Sequence, residues 1–161
     1  MKIFYKENGL TLIEIILSLT ILAILTSMSF VWFLDYYRQT ELDSSAKSIV
    51  NILRKAQSNS TSGKDSKNWG VYFDNTNNKL ILFRDEGSGY GDGSSIAIKE
   101  ENYLSSFVTI VSISLNGGGK EIIFDSPRGE TSQYGTIEIK DPKNNNSRNI
   151  AVTQLGLISS Q

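Results

Sequence analysis

The stretch that decides the fold is residues 10–34, LTLIEIILSLTILAILTSMSFVWFL, in which Glu14 is the one formally charged side chain. A helix rises about 1.5 Å per residue, so this stretch would be roughly 37 Å long. That length exceeds the roughly 30 Å of a bilayer's hydrocarbon core. The polar residues 1–9 carry Lys2 and Lys6. Because basic flanks stay in the cytoplasm, we expect a single pass with the rest of the chain outside.

Three interpretations of this apolar run compete. A secretory signal would be cut after its apolar part, and Ser27 and Ser29 are small residues at the spacing that such a cut needs, but apolar residues continue to Leu34. A plain anchor leaves Glu14 unexplained, since a carboxylate at a helix centre costs about 2.5–3.5 kcal/mol, and less near an end. The third interpretation accounts for the leader, the charge and the length together.

Gly9 is the last residue of the basic leader, and residues 9–14 read GLTLIE. The apolar Leu10 follows Gly9, and Glu14 lies four positions after Leu10. This pattern resembles the processing signature of type IV prepilins and type II secretion pseudopilins. The resemblance implies that prepilin peptidase removes residues 1–9 by cutting between Gly9 and Leu10, and that the new amino terminus is methylated at Leu10. It also implies that Glu14 is the carboxylate used in filament assembly. Most members carry Phe where this chain has Leu10, and Leu is a known substitute.

The resemblance also implies the partners and the location of the chain before and after filament assembly. It would contact prepilin peptidase, membrane lipid before assembly, the inner-membrane assembly platform, and other pilins or pseudopilins through the N-terminal helix. It would first be a single-pass protein of the inner membrane and later part of an extracytoplasmic filament.

The physical chemistry of a carboxylate in hydrocarbon explains why a filament subunit would carry Glu14 in its apolar run. A lone carboxylate there is unfavourable unless it is protonated or paired, and the ammonium at Leu10 of a neighbouring subunit would be a suitable partner. The cost of burying Glu14 would then select the correct register during assembly. The alternative is an interfacial Glu that reaches the headgroup region.

Residues 35–62 predict an amphipathic continuation of the same helix, because no Gly or Pro interrupts the chain from residue 10 to residue 62. We expect the helix to end near residues 57–60. Its apolar side chains recur four and three positions apart, as one helical face requires: Leu42, Ala46, Ile49, Leu53 and Ala56. The face would pack on the protein's own sheet or in a coiled coil, and little more than two heptads favours the sheet.

Residues 63–161 predict an antiparallel β domain, because short runs of β-forming residues alternate with turn residues. The fold class is therefore α+β, pilin-like, with a long helix, membrane-spanning in residues 10–34 and amphipathic in residues 35–62, packed on this domain. Asn75 to Asn78 predicts a hairpin turn and Asn116 to Gly119 another turn. The predicted strands are residues 69–74, 79–84, 95–99, 107–115, 121–125, 136–140 and 149–155.

The later motifs resemble the GspH and FimT branch of the pseudopilins. They are Trp69-Gly70-Val71, residues 82–85, residues 123–129, residues 148–153, and Leu155-Gly156. The resemblance implies a long helix packed on two antiparallel sheets and a low-copy place in the filament, often at or near its tip. Members proposed to bind DNA carry basic residues beside the final Gly, whereas Leu157 follows Gly156 here. Nucleic acid is therefore not an expected partner.

The composition argues against most enzyme chemistry. With no Cys and no His, the chain lacks thiolate nucleophiles and the commonest general base and metal ligand. The near balance of 16 basic and 17 acidic side chains argues against affinity for phosphates. The loop from Asp85 to Gly93 has oxygen ligands but lacks the ordered spacing of an EF-hand, and Glu100 and Glu101 would face opposite sides of a strand. We expect no catalytic residue, metal or cofactor.

These observations favour a non-enzymatic filament subunit, a minor pseudopilin or minor pilin. Two alternatives stay open. A DNA-uptake (competence) minor pilin would need a basic stripe, and a membrane-anchored ligand-binding β domain would need a concave aromatic site, whereas Trp69 is more simply a core or hairpin residue. The sequence leaves open whether the machine is a type II secretion system, a type IV pilus or a competence pilus.

Overall fold

The computed structural model describes residues 9, 11–91 and 99–161. It divides into two compact units, Met1–Tyr37 (unit 1) and Arg38–Gln161 (unit 2). Helix α1 covers Leu12–Thr61, and a single 3-10 turn follows at Lys64–Ser66. The strands of the described residues are β1 Trp69–Asp74, β2 Lys79–Arg84, β3 Lys99–Tyr103, β4 Thr109–Leu115, β5 Glu121–Phe124, β6 Gly135–Lys140, β7 Ser147–Val152 and β8 Ile158–Ser160.

The strands form two four-stranded antiparallel sheets, with strand orders β3-β2-β1-β5 and β4-β6-β7-β8. The predicted hairpin is the centre of the first sheet, where Trp69 pairs with Arg84 and Asp74 with Lys79. Its turn is closed by Asp74, whose carboxylate accepts a side-chain hydrogen bond from Asn77 at 2.8 Å and backbone bonds from Thr76 and Asn77. These donors lower the pKa of Asp74, because they stabilise its charged form.

The second half of α1 packs on the β domain through the predicted apolar face. Each of its five predicted side chains is buried, and Val50 and Ile52 are buried beside them, so the face is wider than one row of residues. These side chains share one core with residues of both sheets. The α+β prediction and the packing of the helix on the protein's own sheet are confirmed, and the coiled-coil alternative was wrong.

Several element ends differ from the sequence prediction. Helix α1 ends at Thr61 rather than near residues 57–60, and β4 begins at Thr109 rather than residue 107. β7 ends at Val152 because the chain turns over Thr153 to Leu157. β8 was not predicted, since its three residues have no alternating pattern. Residues 95–98 of the predicted third strand lie outside the described residues.

The two adjacent glutamates lie on β3, at the edge of the first sheet. Glu100 accepts a hydrogen bond from Lys55 of α1 at 2.6 Å, and Glu101 accepts one from Lys79 of β2 at 3.0 Å. The Lys55 bond lowers the pKa of Glu100, and the Glu101 bond raises the pKa of Lys79. Charged side chains on an edge strand also oppose pairing with a foreign strand.

The conformation of Gly156 explains the Leu155-Gly156 motif. Gly156 and Gly129 are buried with φ of 78° and 70°, a region that favours glycine. The Gln57 side-chain amide of α1 donates to the carbonyl oxygens of Gly129 at 3.0 Å and Gly156 at 2.9 Å. A Cβ on Gly156 would overlap the Gly129 carbonyl oxygen and the Gln57 amide. The two loops and the helix therefore meet at a point with no room for a side chain.

Gly156→Ala is expected to destabilise the β domain by about 3 kcal/mol or more, because it combines left-handed strain with a steric overlap. Gly63→Ala is the matched control: its φ is 65° and a Cβ there meets nothing within 4 Å, so it should cost about 1–2 kcal/mol. The measurement is urea unfolding of a fragment that starts at Asp35 and so lacks the apolar run. Equal losses in the two variants would show that the close approach at Gly156 is unimportant.

Candidate processing and assembly site

The residue before the expected cut is accessible. Gly9 is exposed, and a Cβ placed on it would meet nothing within 4 Å. Leu10, the expected new terminus and methylation site, lies outside the described residues. A side chain at position 9 would therefore not disturb the described fold, and a requirement for Gly there would come from the enzyme that reads it.

Thr11 caps the start of α1. The backbone N–H of Glu14 donates to the Thr11 carbonyl at 3.1 Å and to its hydroxyl at 3.4 Å, and the N–H of Ile15 donates to the same carbonyl at 3.2 Å. Thr11 and Glu14 stand three residues apart, the Thr-x-x-Glu spacing of a capping box. This spacing in residues 11–14 is the local sequence signal that predicts the Thr11 cap.

Glu14 lies in the first turn of α1, where the positive end of the helix dipole favours a carboxylate. It stands at one end of a surface groove of about 360 Å³ that follows the helix. The other lining residues are Ile15, Ser18, Leu19 and Leu22. The carboxylate therefore borders an apolar surface groove of the helix.

The hydroxyl groups of the apolar run bond back to their own helix. Ser18 donates to the Glu14 carbonyl at 2.7 Å, and Thr20 to the Leu17 carbonyl at 2.7 Å. Thr26 and Ser27 make the same kind of bond. A hydroxyl that is satisfied in this way does not need water, so these side chains are compatible with a hydrocarbon environment.

The large apolar side chains of unit 1 for which the structure describes burial are exposed, although such residues normally form a core. Those between Leu12 and Leu25 are each about half exposed or more, and α1 is long and apolar enough to cross a membrane. An exposed apolar surface of this extent is typical of a segment that meets lipid or other helices. Trp32 and Tyr36, near the end of the run, are exposed and match the aromatic belt of a membrane interface.

Within unit 2, two ion pairs join the beginning of its helical part to the β domain. The Arg38 guanidinium lies 3.3 Å from the Asp141 carboxylate and 4.7 Å from the centre of the Phe107 ring. Asp141 is 1% exposed, and a buried carboxylate is favourable only when it is paired and hydrogen-bonded. A second pair joins Arg148 of β7 to Asp43 at 2.8 Å.

The other candidate sites of the sequence have structural roles in the described residues. Trp69 is buried, and its indole N–H donates to the Lys64 carbonyl at 3.2 Å, so its ring does not offer an open aromatic site. Asp85 accepts backbone hydrogen bonds from Gly87 and Gly89 and closes its own loop. Residues 92 and 93 of that loop lie outside the description. No group of three potential metal ligands occurs among the residues described.

Comparison with known proteins identifies the N-terminal segment. Residues 5–30 match the family described as the prokaryotic N-terminal methylation motif, so the prepilin-type motif recognised in the sequence is confirmed. No curated protein matches the chain significantly.

Among solved structures, the chain is similar to the minor pseudopilin EpsH from the type 2 secretion system of Vibrio cholerae. The TM-score is 0.54 at 11% sequence identity, over 75% of this chain and 96% of that chain. At this identity the likeness concerns the fold, and it confirms the prediction of a pilin-like helix followed by antiparallel sheets.

Proposed function

We propose that the chain is a non-enzymatic structural subunit of a type II secretion pseudopilus or a type IV pilus-like filament, a minor pseudopilin or minor pilin. The observation that carries the proposal is that one N-terminal segment combines a methylation motif, an exposed apolar stretch and a stretch packed on a β domain. The methylation motif at residues 5–30 includes most of the exposed apolar half of α1, and the apolar face of the second half is buried against a β domain of pseudopilin type.

The proposed sequence of events begins in the inner membrane, with residues 1–9 in the cytoplasm and unit 2 outside. Prepilin peptidase cuts the bond between Gly9 and Leu10, and the new amino terminus of Leu10 is methylated. The subunit then leaves the lipid through the assembly platform and enters the filament through the apolar half of α1. The exposed apolar side chains support this step, because neighbouring helices can replace lipid around them.

Glu14 has a specific part in this scheme. In the filament, its carboxylate pairs with the Leu10 ammonium of a neighbouring subunit, and the groove beside Glu14 is where that neighbour approaches. A buried charge that has lost its partner costs about 3–5 kcal/mol. Only the register that brings the two charges together avoids that cost, so the pair sets how far one helix slides along the next.

The proposal is tested by the fate of the wild-type chain when it is produced together with its prepilin peptidase. Intact-mass analysis is expected to find a protein that lacks residues 1–9 and carries one methyl group on Leu10. Production without the peptidase is the control and should yield the unmodified precursor. Cleavage after Ser29, or an uncut chain in the presence of the peptidase, would overturn the assignment.

A further inference from the structure

A polar groove of about 280 Å³ lies within unit 2, between α1 and the end of β3. Its lining comes from both elements: Glu41, Ser44, Ser45 and Ser48 of the helix, and Tyr103, Leu104 and Ser105 at the end of the strand. The four helical residues are spaced as i, i+3, i+4 and i+7, so they share one face of the helix. Because serine side chains are short, this face leaves a space between helix and strand that larger side chains would fill.

The helical hydroxyl groups of the groove have no hydrogen-bond partner in the part of the chain that the structure describes. In the apolar run of the same helix, Ser18 and Thr20 bond back to helix carbonyls, whereas Ser44, Ser45 and Ser48 make no bond of this kind. Ser45 is 5% exposed, and a nearly buried hydroxyl without a partner is unfavourable. A polar ligand in the groove would supply the missing bond.

Tyr103 gives the groove an aromatic wall. It is the last residue of β3 and is 69% exposed. Its hydroxyl donates to the Glu101 carboxylate at 3.1 Å, and the Lys79 ammonium lies 5.7 Å from the centre of its ring. Lys79 also donates to Glu101 at 3.0 Å, so these three side chains hold one another. The ring is therefore positioned before a ligand arrives, which keeps the entropic cost of binding low.

The chemistry of the lining selects a neutral ligand that is rich in hydroxyl groups. Among the described residues that line the groove, Glu41 is the one with a formal charge and none is a cation, so an anion would find no counter-charge there. The serines disfavour an acyl chain or an apolar peptide, because their hydroxyls would be buried without partners. A sugar ring offers an apolar C–H face that packs on an aromatic ring, and hydroxyls around its edge that bond to serines and a carboxylate.

We propose that this groove binds a neutral saccharide. Tyr103 stacks on one face of a sugar ring, and the sugar hydroxyls bond to the Glu41 carboxylate and the serine hydroxyls, Ser45 included. The volume lies near the lower end of the range for small-molecule sites, which suits a short glycan. The site goes beyond the proposed function, because it lies within unit 2 and needs no filament. It offers an open aromatic ring, which the buried Trp69 does not.

Binding is measured on the full-length chain in deuterated dodecylphosphocholine micelles, since this detergent has no sugar headgroup. Saturation-transfer NMR is recorded with maltose, cellobiose and N,N′-diacetylchitobiose, and a titration gives the affinity. At least one of the three should bind at millimolar concentration, with the strongest transfer to ring C–H protons. Glucuronate and tetramethylammonium are the anionic and cationic probes. Binding of none of the disaccharides, or a preference for either ion, would overturn the proposal.

Variants of Tyr103 test whether the sugar binds in the groove. Tyr103→Ala should weaken binding about tenfold, because the stacking surface is lost. Tyr103→Phe keeps the ring and should bind nearly as the wild type does. Tyr134→Ala is the matched control, since Tyr134 is 40% exposed but does not line the groove. Unchanged affinity in Tyr103→Ala, or an equal loss in Tyr134→Ala, would place binding elsewhere and overturn the assignment.

Ser45→Val separates ligand binding from folding. It removes the hydroxyl without a partner and keeps the size of the side chain, so the affinity for the disaccharide should fall about fivefold. The melting temperature of the protein without ligand should stay the same or rise, because a buried polar group is removed. Full affinity in Ser45→Val would contradict the predicted hydrogen bond and, with it, the seating of the sugar in this groove.

Discussion

Glu14→Leu is expected to abolish recovery of the protein in sheared filament fractions while leaving its processing intact. In the proposed filament, the substitution would remove the partner of a neighbour's Leu10 ammonium, which would then be buried without a counter-charge at a cost of about 3–5 kcal/mol. The bond between Gly9 and Leu10 is unchanged, so peptidase should still cut it. The measurement compares mature protein in filament and membrane fractions at matched membrane levels.

Ser18→Ala is the matched control for this experiment. Ser18 lines the same groove as Glu14, but its hydroxyl is already bonded to the Glu14 carbonyl of its own helix, so its loss should change incorporation little. In a plain membrane anchor, Glu14→Leu would be harmless or slightly helpful, because it removes a polar group from an apolar run. Normal incorporation of Glu14→Leu into filaments would therefore contradict the pairing and favour the alternative, an interfacial Glu14 that reaches the headgroup region.

Gly9→Val should leave the precursor uncut in the membrane. The position is exposed and a Cβ there meets nothing within 4 Å, so the variant should fold as the wild type does, and the block should arise in the peptidase, where a bulky residue precedes the bond. Intact mass should equal that of the full precursor, without the methyl group.

Gly119→Val controls for the loss of a glycine as such. Gly119 lies in the exposed turn before β5, and a Cβ there makes only an ordinary contact at 4.0 Å. This variant should be cut and methylated like the wild type. Efficient cutting of Gly9→Val would place the cleavage elsewhere and remove the main support for residues 1–9 as a leader.

Much of the architecture could be predicted because its signals are local. The apolar face of α1 follows from helical spacing, and the β1–β2 hairpin follows from turn residues between two strand-forming runs. The motif at Gly9 and Glu14 is contiguous, so it needs no fold to be recognised. The Thr11 cap is local too, and its spacing to Glu14 was present in the sequence.

Other features depend on residues that are far apart in the chain. β8 has no alternating pattern, and it exists because β7 offers it an edge with which to pair. The Arg38–Asp141 and Arg148–Asp43 pairs join α1 to a turn and to strand β7, each about a hundred residues later in the chain. No local pattern predicts which of many charged residues will meet.

Local patterns in the sequence sufficed to predict the membrane-length helix, the N-terminal methylation motif, the amphipathic continuation and the antiparallel character of the rest, because hydrophobic period and turn chemistry act over a few residues. How the strands divide into two sheets, and why Gly129 and Gly156 must meet under Gln57, follows only from the tertiary structure. The same is true of the exposure of Leu155 and Leu157 to solvent. Burial depends on what the completed fold places opposite a side chain, and two leucines in a sequence look the same whether they are covered or not.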